Sequence, residues 1–202
     1  LDERTANIYA PVQEGLQRVD DKLRSLATTE TSAVQPLLKY VTDVGGKRVR
    51  PAITLLCAQF HPHDEARPII MASAVELLHL ATLFHDDTVD NSPTRRGRAM
   101  VSNTWSPYVA VLFGDYVFAI SATFVCDTNN IRVIRRFSET IMELASGQLM
   151  EYFTAYDPAQ AKELYNDRIY RKTASLFCTA SESGAVLGEA SEIEVQALRD
   201  FG

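Results

Sequence analysis

The stretch His85-Asp86-Asp87-Thr88-Val89-Asp90 sets carboxylates at a spacing that could hold a metal ion. On a helix, Asp86 and Asp90 stand one turn apart on one face, with Asp87 beside them. Like charges at that spacing destabilise an isolated helix, so something has to offset them. Two readings fit. One is a solvated acidic face; the other is a clamp in which a hard divalent cation bridges the carboxylates to a phosphate. Mg²⁺ suits the clamp, because it takes one or two carboxylates together with waters and substrate phosphates.

Basic residues lie on both sides of the acidic stretch. Upstream, Gly45-Gly46-Lys47-Arg48-Val49-Arg50-Pro51 offers three cations, two glycines that permit close backbone approach, and a helix start that itself favours anions. Downstream comes Arg95-Arg96-Gly97-Arg98, and arginine forks match phosphate oxygens in pairs. A basic run is commonly a solvated face, but two of them around one acidic helix look like two anion sites with a metal between. His79 lies two turns before Asp86 on the same stripe, as a core residue or as a flank of that site. Lys172 and Thr173, in Arg171-Lys172-Thr173-Ala174-Ser175, sit on an apolar helix. A lysine buried there needs an anionic partner; otherwise it reaches solvent. Gln148 is polar on a largely apolar face, either a hydrogen-bonded core amide or a site residue.

These residues need a helical frame. The 202 residues make one domain at about 100–200 residues per domain. With 46% hydrophobic and 23% charged residues, the chain has globular composition, and disorder or a collagen-like fold is excluded. Nine glycines and eight prolines are few against average usage of about 7% and 5%, which leans away from turn-rich sheets. Apolar residues recur at three- and four-residue steps nearly throughout. Helices are predicted over 14–26, 34–41, from Pro51 to about 60, 65–91, 131–156 with an interruption at Gly147, 161–187 and 191–201. Breaks fall at Gly45-Gly46, 61–64, 127–130 and Asp157-Pro158, and 95–103 reads as a polar loop. Val109–Cys126 is apolar over 18 residues, but Asp115 in its middle would be costly in lipid. It is therefore read as a buried core helix, and no transmembrane segment is expected.

The net charge of −6 argues against nucleic acid as a partner. Three cysteines without a CxxC pair point to neither a disulfide framework nor a structural zinc site. With no signal sequence at the start, a reducing, cytoplasmic setting is expected.

Taken in order, GGKRVRP, the histidine before HDDTVD, the RRG after it, GDY, GQ and RKTASLF resemble the motif series of the trans-polyprenyl diphosphate synthases, from about residue 41 onward. The resemblance implies an all-α isoprenoid synthase fold, a bundle of long antiparallel helices around a central apolar cavity, usually dimeric. It implies that Lys47, Arg50, His79 and Arg96 hold isopentenyl diphosphate. Arg95 and Lys172, with Thr173, would hold the allylic diphosphate, and Gln148 would face the active site. Asp86 and Asp90 would coordinate Mg²⁺, with Asp87 in the same motif, so that Asp86, Asp87, Asp90, Arg95 and Lys172 form the catalytic set. The reaction implied is head-to-tail condensation of the two diphosphates. Enzymes of the family that stop early tend to carry aromatic rings where this chain has Ala81 and Thr82. Products longer than twenty carbons are therefore expected, although Phe84 could intervene, and Ala81→Phe is expected to shorten them.

The family's second aspartate-rich motif, roughly forty residues after the Lys-Thr pair, is not in these 202 residues, and the C-terminal helices of the bundle would be missing. Three readings follow: part of a complete synthase, a short subunit completed by a heteromeric partner, or a diphosphate-binding remnant without turnover. A class I terpene cyclase also uses an aspartate-rich helix with Mg²⁺, but has no need of Lys47, Arg50 and Arg96.

Overall fold

Residues 71–78 are buried without exception, and a helix apolar on every side has no face for water. The computed structural model describes residues 3–29, 31, 33–42, 46–89, 94–95, 98–99, 104–154 and 161–202. Its elements in chain order are α1 (Glu3–Tyr9), a 3₁₀ turn (Ala10–Val12), α2 (Gln13–Thr29), α3 (Gln35–Thr42), α4 (Val49–Cys57) and α5 (Ala66–Val89). A ribbon of β1 (Thr94–Arg95) and β2 (Arg98–Ala99) follows, then α6 (Pro107–Asp127), α7 (Ile131–Thr154) and α8 (Lys162–Ile169). A π-helical turn (Tyr170–Ala174) joins α8 to α9 (Ser175–Leu187), and α10 (Glu192–Phe201) is last. The all-α expectation is met among the described residues, with the two-residue ribbon standing where a plain loop was expected.

The central helix is α5, packed by α2, α4, α6 and α9. One side of it joins Val19 and Leu23 of α2 to Phe84 and to Phe113 and Val117 of α6. The other joins Met71, Val75 and Leu78 to Phe137 of α7 and Leu176 of α9. Each such fully buried side chain contributes about 1.5–3 kcal/mol. Helix α4 begins two residues before Pro51, but Pro51 still lies in the first turn, where its missing N–H costs nothing. Helix α7 runs straight through Gly147; the interruption expected there is absent.

Helix α6 corrects a second expectation. It buries one face, with Ala110, Phe113, Val117 and Val125, and leaves Tyr108 73% and Leu112 49% exposed. Both α6 and residues 66–86 are long and apolar enough to cross a membrane, but 67% of the second is buried in the fold against 33% of α6.

The last helix is set by its cap. Ser191 Oγ accepts from the Glu194 amide, and Glu194 accepts from the Ser191 amide at 2.8 Å, a reciprocal capping box. His61 Nε2 adds a contact of 3.0 Å from the loop after α4. Hydrogen bonds from the Ser191 side chain and backbone, then His61, hold the Glu194 carboxyl down to about 2. A folded-state value below the unfolded one stabilises above the ordinary pKa and is lost as pH falls through the folded one. Docking of α10 should therefore be constant above about pH 4.5 and weaken between there and about pH 2. Thermal unfolding across that range should show a shallower acid limb for Glu194→Gln than for the native chain; identical limbs would refute this.

Candidate diphosphate and metal site

The residues preceding α4 carry the first group of cations. Arg48 has φ 50° and ψ 35°, a left-handed conformation that costs a non-glycine residue about 1 kcal/mol or more. Two ion pairs offset it. Arg48 Nε donates to Asp20 Oδ1 of α2 at 2.8 Å, and Nη1 donates to Glu76 Oε1 of α5 at 2.6 Å. Burial depresses the Arg48 guanidinium, but Glu76 and Asp20 outweigh it and hold its pKa above the ordinary value. One of the three cations assigned to the anion cluster therefore points into the protein. Lys47 is exposed, and its carbonyl accepts a hydrogen bond from the Tyr9 hydroxyl at 3.0 Å. The Arg50 guanidinium lies 4.3 Å from the centre of the Phe177 ring, a cation–π contact, and its Nε is buried without a hydrogen-bond partner. Burial holds Arg50 below its ordinary value, with Glu76 countering in part.

The π-helical turn carries the second group. Turns of this kind recur at functional sites. Arg171 Nε donates to Asp167 at 2.9–3.0 Å and Nη1 to Ser146 Oγ at 3.2 Å; the Asp167 bond holds its pKa up. Lys172 Nζ donates to Glu151 of α7, and Thr173 is exposed. Gly147 explains how this turn lies against α7. A Cβ there would stand 2.8 Å from the Lys172 amide nitrogen and 2.9 Å from Arg171 Cβ, so only glycine admits the turn. Gln148 is half-buried beside it. Phe177 lies in the first turn of α9, so Arg50 reaches the start of the helix that follows residues 171–173.

Asp86 is half-buried in the last turn of α5. The carbonyl end of a helix adds its own preference for cations there. The Asp86 carboxylate is the kind of oxygen donor that a hard cation shares with phosphate and water, while among the described residues no group of three or more His, Cys, Asp or Glu side chains is placed to hold a metal ion. The Asp87 side chain, Asp90, Arg96 and the side chain of Arg95 lie outside the described residues; the Arg95 backbone is in β1, in register with Arg98. His85 Nε2 is 3.3 Å from Asp115 Oδ1 and 3.3 Å from the Val111 carbonyl. Gly114 leaves room for that ring, since a Cβ would lie 2.3 Å from Nε2, which gives GDY a physical basis. His79 is half-buried, and its carbonyl accepts from Thr82 Oγ1 at 2.8 Å. Thr82 is also half-buried, whereas Ala81 is 1% exposed, in the core cluster of Phe84 and Phe113.

Reading the residues alone missed Glu76, Asp20, Glu151 and Phe177. A signal existed for Glu76: a single acid inside Ala74-Val75-Glu76-Leu77-Leu78 must find a cation if the helix is buried.

Residues 31–202 match the family model described as polyprenyl synthetase. Heptaprenyl diphosphate synthase component 2 of Geobacillus stearothermophilus is 33% identical over 96% of this chain and 61% of its own length. The crystal structure of a decaprenyl diphosphate synthase from Rhodobacter capsulatus superposes with a TM-score of 0.89 at 32% identity, over 98% of this chain and 61% of that one. A polyprenyl synthase from Caulobacter crescentus, complexed with calcium and isoprenyl diphosphate, gives 0.91 at 30% identity over 98% and 60%. The chain thus spans about 60% of the length of these relatives.

Proposed function

Because the chain belongs to the polyprenyl synthetase family, we propose that it carries the substrate-binding half of a prenyl-transferring site that joins isopentenyl diphosphate to an allylic diphosphate. The observation that carries this reading is the contact of Arg50, in the first turn of α4, with Phe177, in the first turn of the helix that follows Arg171-Lys172-Thr173. Lys47, Arg50, His79 and Arg96 hold isopentenyl diphosphate. Lys172, Thr173 and Arg95 hold the allylic diphosphate and stabilise the charge that gathers on it as the allylic C–O bond breaks. Mg²⁺ on Asp86 and Asp90 supplies further positive charge to that leaving group when bound. The double bond of isopentenyl diphosphate attacks the allylic carbon, the released diphosphate takes up the proton that is then lost, and the product is one isoprene unit longer. The apolar faces around the site keep water from the cationic centre.

The test is turnover of labelled isopentenyl diphosphate with farnesyl diphosphate and Mg²⁺, with products sized after dephosphorylation. A ladder beyond twenty carbons supports the reading; absence of isopentenyl incorporation by the whole protein sinks it.

Product length depends on α5 one turn before Asp86. Thr82 is the more telling position, because Ala81 is packed against the core and a ring there would force α5 and α6 apart. Thr82→Phe should shorten the main product by at least one isoprene unit, and an unchanged product distribution would refute a length role.

The exposed apolar face of α6 is read as the seat of a second copy. Light scattering should give twice the chain mass, and Leu112→Glu should yield monomer. A native monomer would overturn this. A second reading, a subunit needing a different partner chain, is favoured by the relative named as a synthase component; it predicts diphosphate binding without turnover until that partner is added.

A further inference from the structure

Arg48 and Arg50 are two residues apart, and the charge of one buried carboxylate, Glu76, bears on both, yet only Arg48 is bonded to it. We propose that Arg48 is a positioning residue whose part is to occupy Glu76, so that Arg50 stays open to an incoming anion. The inference rests on reading residues 47–50 as a diphosphate site.

Glu76 is 6% exposed in the most deeply buried stretch of α5. A carboxylate there that lacks a cation is strongly destabilising and draws in whatever positive group can reach it. Arg48 reaches it because the left-handed backbone at that residue turns its side chain inward, where Asp20 grips Nε from α2 while Glu76 takes Nη1. The guanidinium is fixed from two helices and is 12% exposed, which leaves it little to offer a ligand. Arg50 is the opposite case. Among the described residues it forms no ion pair, its Nε is buried and unpartnered, and its planar head is propped on Phe177. Without Arg48, Glu76 would be unanswered and Arg50 would be the next cation along the chain. The arginine would then be drawn from Phe177 towards α5, and the anion site would lose its fork without any direct contact having been removed.

This arrangement predicts an unusual pattern of rescue. Arg48→Gln should weaken binding of inorganic pyrophosphate, measured by calorimetry without divalent metal, by about tenfold or more, the scale of one charge-assisted hydrogen bond. Adding Glu76→Gln to that variant should restore affinity to within about threefold of the native protein, because no buried charge then competes for Arg50. Arg48→Lys, which keeps a cation facing Glu76, should bind nearly as the native protein does, and it serves if Arg48→Gln fails to fold. If Arg48 instead contacts the anion directly, or merely holds the loop in shape, the double variant will bind as weakly as Arg48→Gln or more so, and the inference falls. A tenfold loss in a folded Arg48→Lys protein would overturn it equally. Failure of the native protein to bind pyrophosphate would remove the site itself, and this inference with it.

Discussion

Asp86→Asn should lower turnover by about a thousandfold, the order expected when a group stabilising a developing anion is removed from a preorganised site. The substitution is nearly isosteric. It keeps oxygen at one arm of the side chain but removes the negative charge that makes the helix end a seat for a divalent cation. Asp86 lies in the last turn of α5, half-buried and outside the two core clusters, so the unfolding midpoint should stay close to the native value. The loss should fall on kcat at saturating substrates and should be relieved in part by raising Mg²⁺, since weakened metal affinity is restored by mass action. Steady-state kinetics across a Mg²⁺ titration would check this. A change of less than about tenfold in turnover would show that Asp86 does not serve the reacting diphosphate.

Gly184→Val should be the most damaging single substitution to the fold. Helices α4 and α9 meet so closely that a Cβ at Gly184 would stand 2.2 Å from the Thr54 carbonyl oxygen and 3.0 Å from its carbon. The obstacle is helix backbone, which has no rotamer to give. The two helices must separate, and Gly188, where a Cβ would be 2.5 Å from the Ala58 carbonyl oxygen, must separate with them. Overpacking of this kind costs about 3 kcal/mol, or a fall of about 6–12 °C in unfolding temperature for a chain of this size. Because α4 carries Arg50 and α9 carries Phe177, the same separation should loosen their contact and weaken pyrophosphate binding. A native-like melting curve would mean that the two helices have slack that their spacing does not show.

Much of this organisation was legible beforehand. Leu16, Val19, Leu23 and Leu26 mark α2 at helical spacing, the helix expected over 65–91 stands as α5 across the described 66–89, and the helix expected over 191–201 is α10. What was missed has a common cause: periodicity reports which face of an element is apolar but not what lies against it. Gly147 reads as a break because glycine weakens a helix, yet it is there to admit the Lys172 turn. The 109–126 run reads as core because it is apolar over 18 residues and Asp115 in its middle is costly in lipid, yet the described residues cover one face of it. In GGKRVRP all three cations look equivalent, and only the position of Glu76, twenty-six residues past Arg50, separates Arg48 from the others.

The π-helical turn at Tyr170–Ala174 has a consequence for the length of the chain at that point. Such a turn is one residue more than an α-helix needs, so α8 and α9 follow one another without a break in helical backbone but out of phase by about 100°, the advance of one residue in a helix of 3.6 per turn. Deleting a residue here would heal the segment into regular α-helix and swing everything on one side of it around the axis. If α9 kept its seat against α4, the Lys172 ammonium would leave Glu151; if α8 kept its place beside α7, Phe177 would rotate out from beneath Arg50. The extra residue therefore acts as a phase shifter, letting one continuous helical segment present a cation towards one neighbour and an aromatic ring towards another, and neither insertion nor deletion at this point can be neutral.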